Sequence, residues 1–260
     1  MPLTLPIRTI GHDEASKRGL ARCQRPSVQT ERGWKIRKLG VGKAHLSLDF
    51  LKQMTYALSM RIDLHCHSKY SQDNFLEPEE LIEQAIRIGL DGVCITEHYS
   101  MIPLWHLEKI KAPEGFYIFR GVEISTGRGH LLAYGVKDDS WNIWSSNNYL
   151  DVFRVIENVH RLGGICVPAH PFRGWDSFGE DVFRTDGFDA IETHNGLNLE
   201  NMNQKAIHAA RLRNLPSVGG SDCHNKEQVG KAFTEFKNPV HTIDELIEEI
   251  KKGNCKGMIL

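Results

Sequence analysis

From residue 61 to the end of the chain, short apolar runs alternate with amphipathic stretches, and that alternation confines the fold to the α/β class. "RIDLHC" (61–66) reads as a strand. "EPEELIEQAIRIG" reads as a helix, with Leu81, Ile82, Ala85 and Ile86 in one stripe and Pro78 suited to its first turn. Strands are then expected in "DGVCITEH", "FYIFRGVEIS" and "GHLLAYGV", a helix in "YLDVFRVIENVHRLGG", and strands in "ICVPAHP" and "DAIETHN". A helix in "LENMNQKAIHAARLRN" leads into strands at "PSVGGSDCH" and "KAFTEF"; "TIDELIEEIKKG" is the last helix and "KGMIL" the closing strand. The pattern predicts one domain over residues 60–260, built on a mainly parallel sheet or barrel.

Residues 1–59 show no such alternation and carry 11 Lys/Arg against 4 Asp/Glu. They read as a basic extension outside the fold, poorly ordered and dispensable, suited to targeting or a weak nucleic-acid contact. The body, 60–260, is acidic, with 21 Lys/Arg against 29 Asp/Glu. That balance argues against a broad nucleic-acid-binding face and suits a site that gathers cations. No apolar stretch approaches the roughly 18 residues of a membrane span, and no secretory signal is visible. The six cysteines form no C-x-x-C pair, and Cys66, Cys94 and Cys166 sit in or beside strand-like runs. Buried thiols in a reducing, cytoplasmic compartment fit better than a disulfide framework.

Strand after strand terminates in groups able to bind a metal. His65 and His67 close the first, with Asp73 in the loop beyond; Glu97 and His98 close the second. Glu123 closes the third, His130 opens the fourth, and His170 closes the fifth. Asp222 and His224 close a later one. Side chains at i and i+2 share a face of a strand, so His65 and His67 can converge on one ion, and Asp222 and His224 repeat the spacing. Cys223, between them, is expected to face the core. A lone strand-end histidine is more often solvated than ligating, but the set is ordered, and the carboxyl ends of barrel strands are where α/β barrels build sites. Imidazole with carboxylate suits Zn, Mn or Fe; nine candidates exceed one ion and imply two or three, with Glu123 able to bridge. Glu192 and Asn195 are candidates for holding ligands in place, and His194 for lining the pocket. His106, His160, His208 and His241 are expected to be structural or solvated.

The ordered motifs D-L-H-C-H-S, I-T-E-H, G-V-E-I-S, G-H-L-L-A-Y-G, A-H-P and S-D-C-H resemble the polymerase and histidinol phosphatase (PHP) family of metal-dependent phosphoesterases, over residues 61–260. The resemblance implies a distorted (β/α)7 barrel with a trinuclear site. It would place one metal on His65, His67, Glu123 and Asp222, a second on Glu123, His130 and His170, and a third on Asp73, His98 and His224. Glu97 stands where many relatives have Asp, at a position that is not a primary ligand.

Clustered divalent ions neutralise phosphoryl oxygens and bring a bound water's pKa from about 15.7 to about 7, so a metal-bound hydroxide is the expected nucleophile. No Ser-His-Asp, Cys-His or phosphate-loop signature competes. Asp73 or His224 is the candidate proton donor to the leaving oxygen, and Arg173, three residues past His170, the candidate grip on the phosphate. The expected substrate is a small phosphate ester, a nucleotide or short oligonucleotide end, with no obligate protein partner. Histidinol phosphate is the alternative substrate, and a non-catalytic metal-binding module the alternative class.

Overall fold

The computed structural model describes residues 59–71, 73–142, 150–174 and 176–260. Apart from Ser59, the proposed basic extension lies outside the described residues, as does Cys23. Among the described residues, nine strands and four α-helices follow one another as β1 (Met60–Cys66), α1 (Pro78–Arg87), β2 (Gly92–Ile95), β3 (Tyr117–Thr126), β4 (Gly129–Tyr134), α2 (Val152–Arg161), β5 (Ile165–Pro168), β6 (Ile191–Asn195), α3 (Glu200–Arg213), β7 (Ser217–Gly220), β8 (Ala232–Phe236), α4 (Ile243–Lys251) and β9 (Cys255–Ile259). Every strand and α-helix expected from the sequence is present. Pro78 opens α1, the Asp151 carboxylate caps α2, and Thr242 with Glu245 forms a reciprocal capping box on α4. In α1, Leu81, Ile82 and Ala85 are buried as expected, but Ile86 is exposed and Gln84 takes a place on the buried side.

The sheet is mixed rather than mainly parallel. Seven strands run in the order β5-β4-β3-β2-β1-β8-β9 and curl into a half-barrel, and β6 and β7 form a separate parallel pair. β1 pairs parallel with β2, and β2 with β3. The β3–β4, β4–β5, β1–β8 and β8–β9 pairs are antiparallel. The β3–β4 reversal follows from chain length. Only Gly127 and Arg128 separate the paired Thr126 and Gly129, and two residues can close a hairpin but cannot make a crossover.

The β6–β7 pair is tied to β1 and β8. Thr234 Oγ1 on β8 accepts from Gly219 N and donates to Gly219 O, both at 2.8 Å. A Cβ on Gly220 would stand 2.3 Å from the His65 Cβ, so only glycine permits β7 to approach β1 this closely. The buried Asp63 carboxylate accepts from Ser221 N at 2.8 Å and Gly230 N at 3.0 Å, and from His65 N at 3.2 Å within its own strand. Apolar side chains of α1, α2 and α3 pack in one core cluster with Cys66, Val93, Ile95, Val122 and Ile124. A second gathers Ile62, Leu64, Leu132, Tyr134, Ile165 and Val167 with Leu246 and Ile250 of α4. All five described cysteines are free and buried, Cys223 among them. This topology brings the carboxyl ends of β1, β2, β3 and β5, the start of β4 and the loop after β7 to one edge.

Candidate metal centre

At that edge the nine sequence-predicted side chains converge, with Glu123 at the centre. Its Oε1 lies 3.0 Å from His130 Nδ1, 3.1 Å from His170 Nε2 and 3.5 Å from His65 Nε2. Its Oε2 lies 3.0 Å from His98 Nδ1 and 3.3 Å from His67 Nε2. One buried carboxylate therefore reaches five imidazoles. Asp222 Oδ1 approaches His67 Nε2 at 3.3 Å and His65 Nε2 at 3.5 Å. Asp73 Oδ2, on the open side, is 3.2 Å from both His98 Nε2 and His224 Nε2. Three overlapping triples bring their donor atoms within 4.8 Å of one another: His65, His67 and Glu123; Glu123, His130 and His170; and His67, His98 and His224.

Hydrogen-bond partners settle several tautomers, and with them what the cluster requires. Glu192 receives His65 Nδ1 at 2.9 Å, His170 N at 2.6 Å and Asn195 Nδ2 at 3.1 Å, so the His65 proton sits on Nδ1. Ser71 donates its hydroxyl to Glu97 and so accepts from His67 Nδ1 at 2.9 Å. His224 Nδ1 faces the Asp222 carbonyl at 2.9 Å, which can only accept. In each neutral ring Nε2 is then a bare lone pair. His65 Nε2 and His67 Nε2 stand 3.0 Å apart, with carboxylate oxygens beside them. Lone pairs at that separation repel unless a cation lies between them. His98 Nδ1 says the same: it is buried without a hydrogen bond of acceptable geometry, though 3.0 Å from Glu123 Oε2. The donor set fits divalent ions bound by imidazole and carboxylate.

Electrostatics agree. Burial is the largest influence on His65 and lowers its pKa, but the Asp222, Glu192 and Glu123 carboxylates together outweigh it and hold the imidazolium well above the ordinary range. Burial likewise opposes the charge on His67, yet hydrogen bonds to Asp222 and Glu123 push it up to about 10. Glu123 and Asp222 move the other way. Burial would raise both, but the surrounding imidazoles, His65 foremost, hold them well below the usual carboxylate range. The pocket demands positive charge, as protons or as metal.

Two sequence expectations need correction. Asp222 and His224 do not lie on a strand: β7 ends at Gly220, and Asp222 takes a left-handed backbone with φ 56°. Glu123 lies within β3 rather than at its end, where the parallel pairing with β2 stops and a single bridge joins it to His98. His170 is also left-handed, with φ 29°. Such conformations cost energy and cluster at functional sites. Arg173 Nη2 sits 2.6 Å from Asp222 Oδ2 and from Asn195 Oδ1, and its Nε 3.0 Å from Asn198 Oδ1. His194 bonds to Thr193 Oγ1 and borders a pocket with Ser217 and Lys256, away from the cluster. Asp63, Ser68 and Ser71 carry supporting roles that pattern reading missed; Asp63 shares the i, i+2 face of His65 and His67, which was the available signal.

Comparison with known proteins agrees with this geometry. Residues 63–179 match the PHP domain and residues 200–255 the PHP-associated family. The first span holds the donors from His65 to His170, the second Asp222 and His224. An uncharacterised protein of Methanocaldococcus jannaschii is 24% identical over 168 residues, 60% of this chain and 94% of that protein. A 5'-3' exoribonuclease of Haemophilus influenzae is 35% identical over 79 residues, 29% of this chain and 28% of the enzyme. The lesion-specific endonuclease Q of Pyrococcus furiosus superposes with a TM-score of 0.60 at 22% identity, over 77% of this chain and 58% of the endonuclease. With both of its segments matched in order and the donor cluster assembled between them, the chain belongs to the PHP family of metal-dependent phosphoesterases.

Proposed function

We propose that the chain hydrolyses a small phosphate ester, a nucleotide or the end of a short oligonucleotide, at a site of two or three divalent ions. The observation that carries this reading is the approach of the His65 and His67 Nε2 atoms, 3.0 Å apart and flanked by Glu123 and Asp222. His65, His67, Glu123 and Asp222 would hold one ion, Glu123, His130 and His170 a second, and Asp73, His98 and His224 a third. Manganese, zinc or iron suits this mixture of donors better than magnesium. Ions bound there supply charge neutralisation at the phosphoryl group and a water acidic enough to ionise near neutrality.

The chain's own groups do the rest. Glu192 fixes the tautomer and orientation of His65, and Ser71 those of His67. Arg173, with Nη2 and Nε engaged and no partner for Nη1 among the described residues, contacts a phosphoryl oxygen from beside Asp222. Asp73 and His224 stand on the open side, where a leaving oxygen needs its proton. Loss of such a charge-assisted contact costs about 1.5–3 kcal/mol, so Arg173→Ala lowers kcat/KM by roughly 10- to 100-fold with metal content unchanged.

The test is metal analysis of the purified chain together with a panel of nucleoside phosphates, short oligonucleotides and histidinol phosphate. Activity lost on chelation and restored by manganese or zinc before magnesium supports the reading. Full turnover by protein shown to be metal-free overturns it.

A further inference from the structure

Two exposed aromatic residues that neighbour Asp73 and His98 in the chain have no role in the chemistry so far. Phe75 is 95% exposed, although it lies between two buried residues, Asn74 and Leu76. Its loop is pinned. Asn74 Nδ2 donates to His67 O at 2.9 Å, Asn74 Oδ1 accepts from Leu76 N at 2.8 Å, and Leu76 O accepts from Lys69 N at 2.8 Å. A large apolar side chain held out in water by a fixed loop is a standing cost. Tyr99 is 60% exposed and left-handed, with φ 66°. Its backbone N donates to Glu123 O at 3.0 Å, and its ring centroid lies 5.6 Å from that of His98. An aromatic residue pays for a left-handed backbone where the surrounding structure enforces it.

Both sit beside the same part of the cluster. Phe75 follows Asp73 by two residues, which places their Cα atoms within about 7 Å, and Tyr99 directly follows His98. Asp73 and His98 are themselves in contact, Oδ2 to Nε2, at 3.2 Å.

We infer that Phe75 and Tyr99 form a stacking platform for the nucleobase of the substrate, so that the site selects phosphate esters bearing an unpaired base. The inference rests on the phosphoesterase reading and deepens it. Bases offer π-faces to aromatic side chains irrespective of sequence, whereas a plain sugar phosphate has nothing to stack. The acidic net charge of residues 60–260 disfavours a long polyanion, so the ligand is a mononucleotide or the last nucleotide of a single strand.

The test compares AMP, ribose 5-phosphate, a single-stranded RNA tetramer and the corresponding duplex, using the full metal-loaded chain. Phe75→Ala and Tyr99→Asn, the latter chosen because asparagine tolerates φ above zero, lower the kcat/KM ratio of AMP over ribose 5-phosphate by roughly 5- to 150-fold, mainly through KM. Tyr99→Phe restores the ratio. Equal effects on both substrates, or none on either, overturn the platform. AMP preferred over the tetramer assigns the free nucleotide, the reverse assigns the strand end, and preference for the duplex overturns the inference. If no ester is hydrolysed the phosphoesterase reading fails, and the platform is judged by equilibrium dialysis. Tighter binding of AMP than of ribose 5-phosphate, lost in Tyr99→Asn, upholds it; equal binding sinks it.

Discussion

Two ligand doublets in this protein have the same spacing and opposite construction. His65-Cys66-His67 runs off the end of β1, while Asp222-Cys223-His224 lies in the loop beyond β7, with Asp222 left-handed. Cys66 and Cys223 form a parallel bridge, which sets the doublets side by side with a buried thiol in the middle of each. The strand doublet is aimed by side chains outside it, His65 by Glu192 across 127 residues of chain and His67 by Ser71 in the loop that follows. The turn doublet aims itself: His224 Nδ1 donates to the carbonyl of Asp222. A shared i, i+2 spacing therefore has two physical origins, the pleat of a strand and a strained turn. In the first, both rings are aimed by side chains outside the doublet; in the second, the ring is aimed by the doublet's own backbone while Arg173 and Asn195 brace Asp222.

The largest effect expected is from the turn. Asp222 touches His65, His67 and Arg173, so Asp222→Ala removes bound metal and activity together while the far-ultraviolet circular dichroism stays close to that of the parent. Retained metal in that variant would show the strand doublet to be sufficient alone. The strand doublet should dominate the pH response of chelated protein. With its pKa raised from 6.5 to about 10 in the fold, His67 contributes stability that is complete below 6.5 and lost as pH rises through 10. Urea midpoints of chelated protein should fall over that window; a flat profile would mean the imidazoles are not charged by their carboxylates. Next, Glu192→Ala frees His65 and should weaken metal affinity by roughly 10- to 100-fold, read by competition with a chelating dye. Smallest is the matching change on the turn. Among the described residues the Gln228 side chain accepts only the His224 backbone N–H, at 2.7 Å, so Gln228→Ala should cost about 1 kcal/mol or less in urea unfolding and leave metal affinity nearly intact. An affinity loss equal to that of Glu192→Ala would erase the distinction between the doublets.

The order of elements and the candidate donor residues were legible because both are local. Periodicity marks each strand and helix, and histidines at strand ends stand out against apolar runs. Strand direction was less legible. β4 and β5 are joined through α2 yet run antiparallel, and nothing within either segment announces it. The β3–β4 hairpin could have been read from its two-residue loop. Asp222 and His224 were singled out on a strand geometry they do not have, since a left-handed aspartate leaves no mark on spacing. Asp63 was hidden because its partners are backbone amides of Ser221 and Gly230, which no side-chain pattern reports.

Those bonds from Asp63 also bear on when the protein can become itself during synthesis. β1 lies between β2 and β8 in the sheet, and its carboxylate partners arrive 158 and 167 residues later. Closing loops of that size must precede the contacts that reward them, which makes folding slow and late. A nascent chain that has emerged only as far as β5 has His65 on β1 and His67 just beyond it, but neither Asp222 nor β7. Until Ser221 and Gly230 are made, the Asp63 carboxylate has only the His65 amide of its own strand as a partner, and the segments already synthesised are exposed to aggregation and to chaperones.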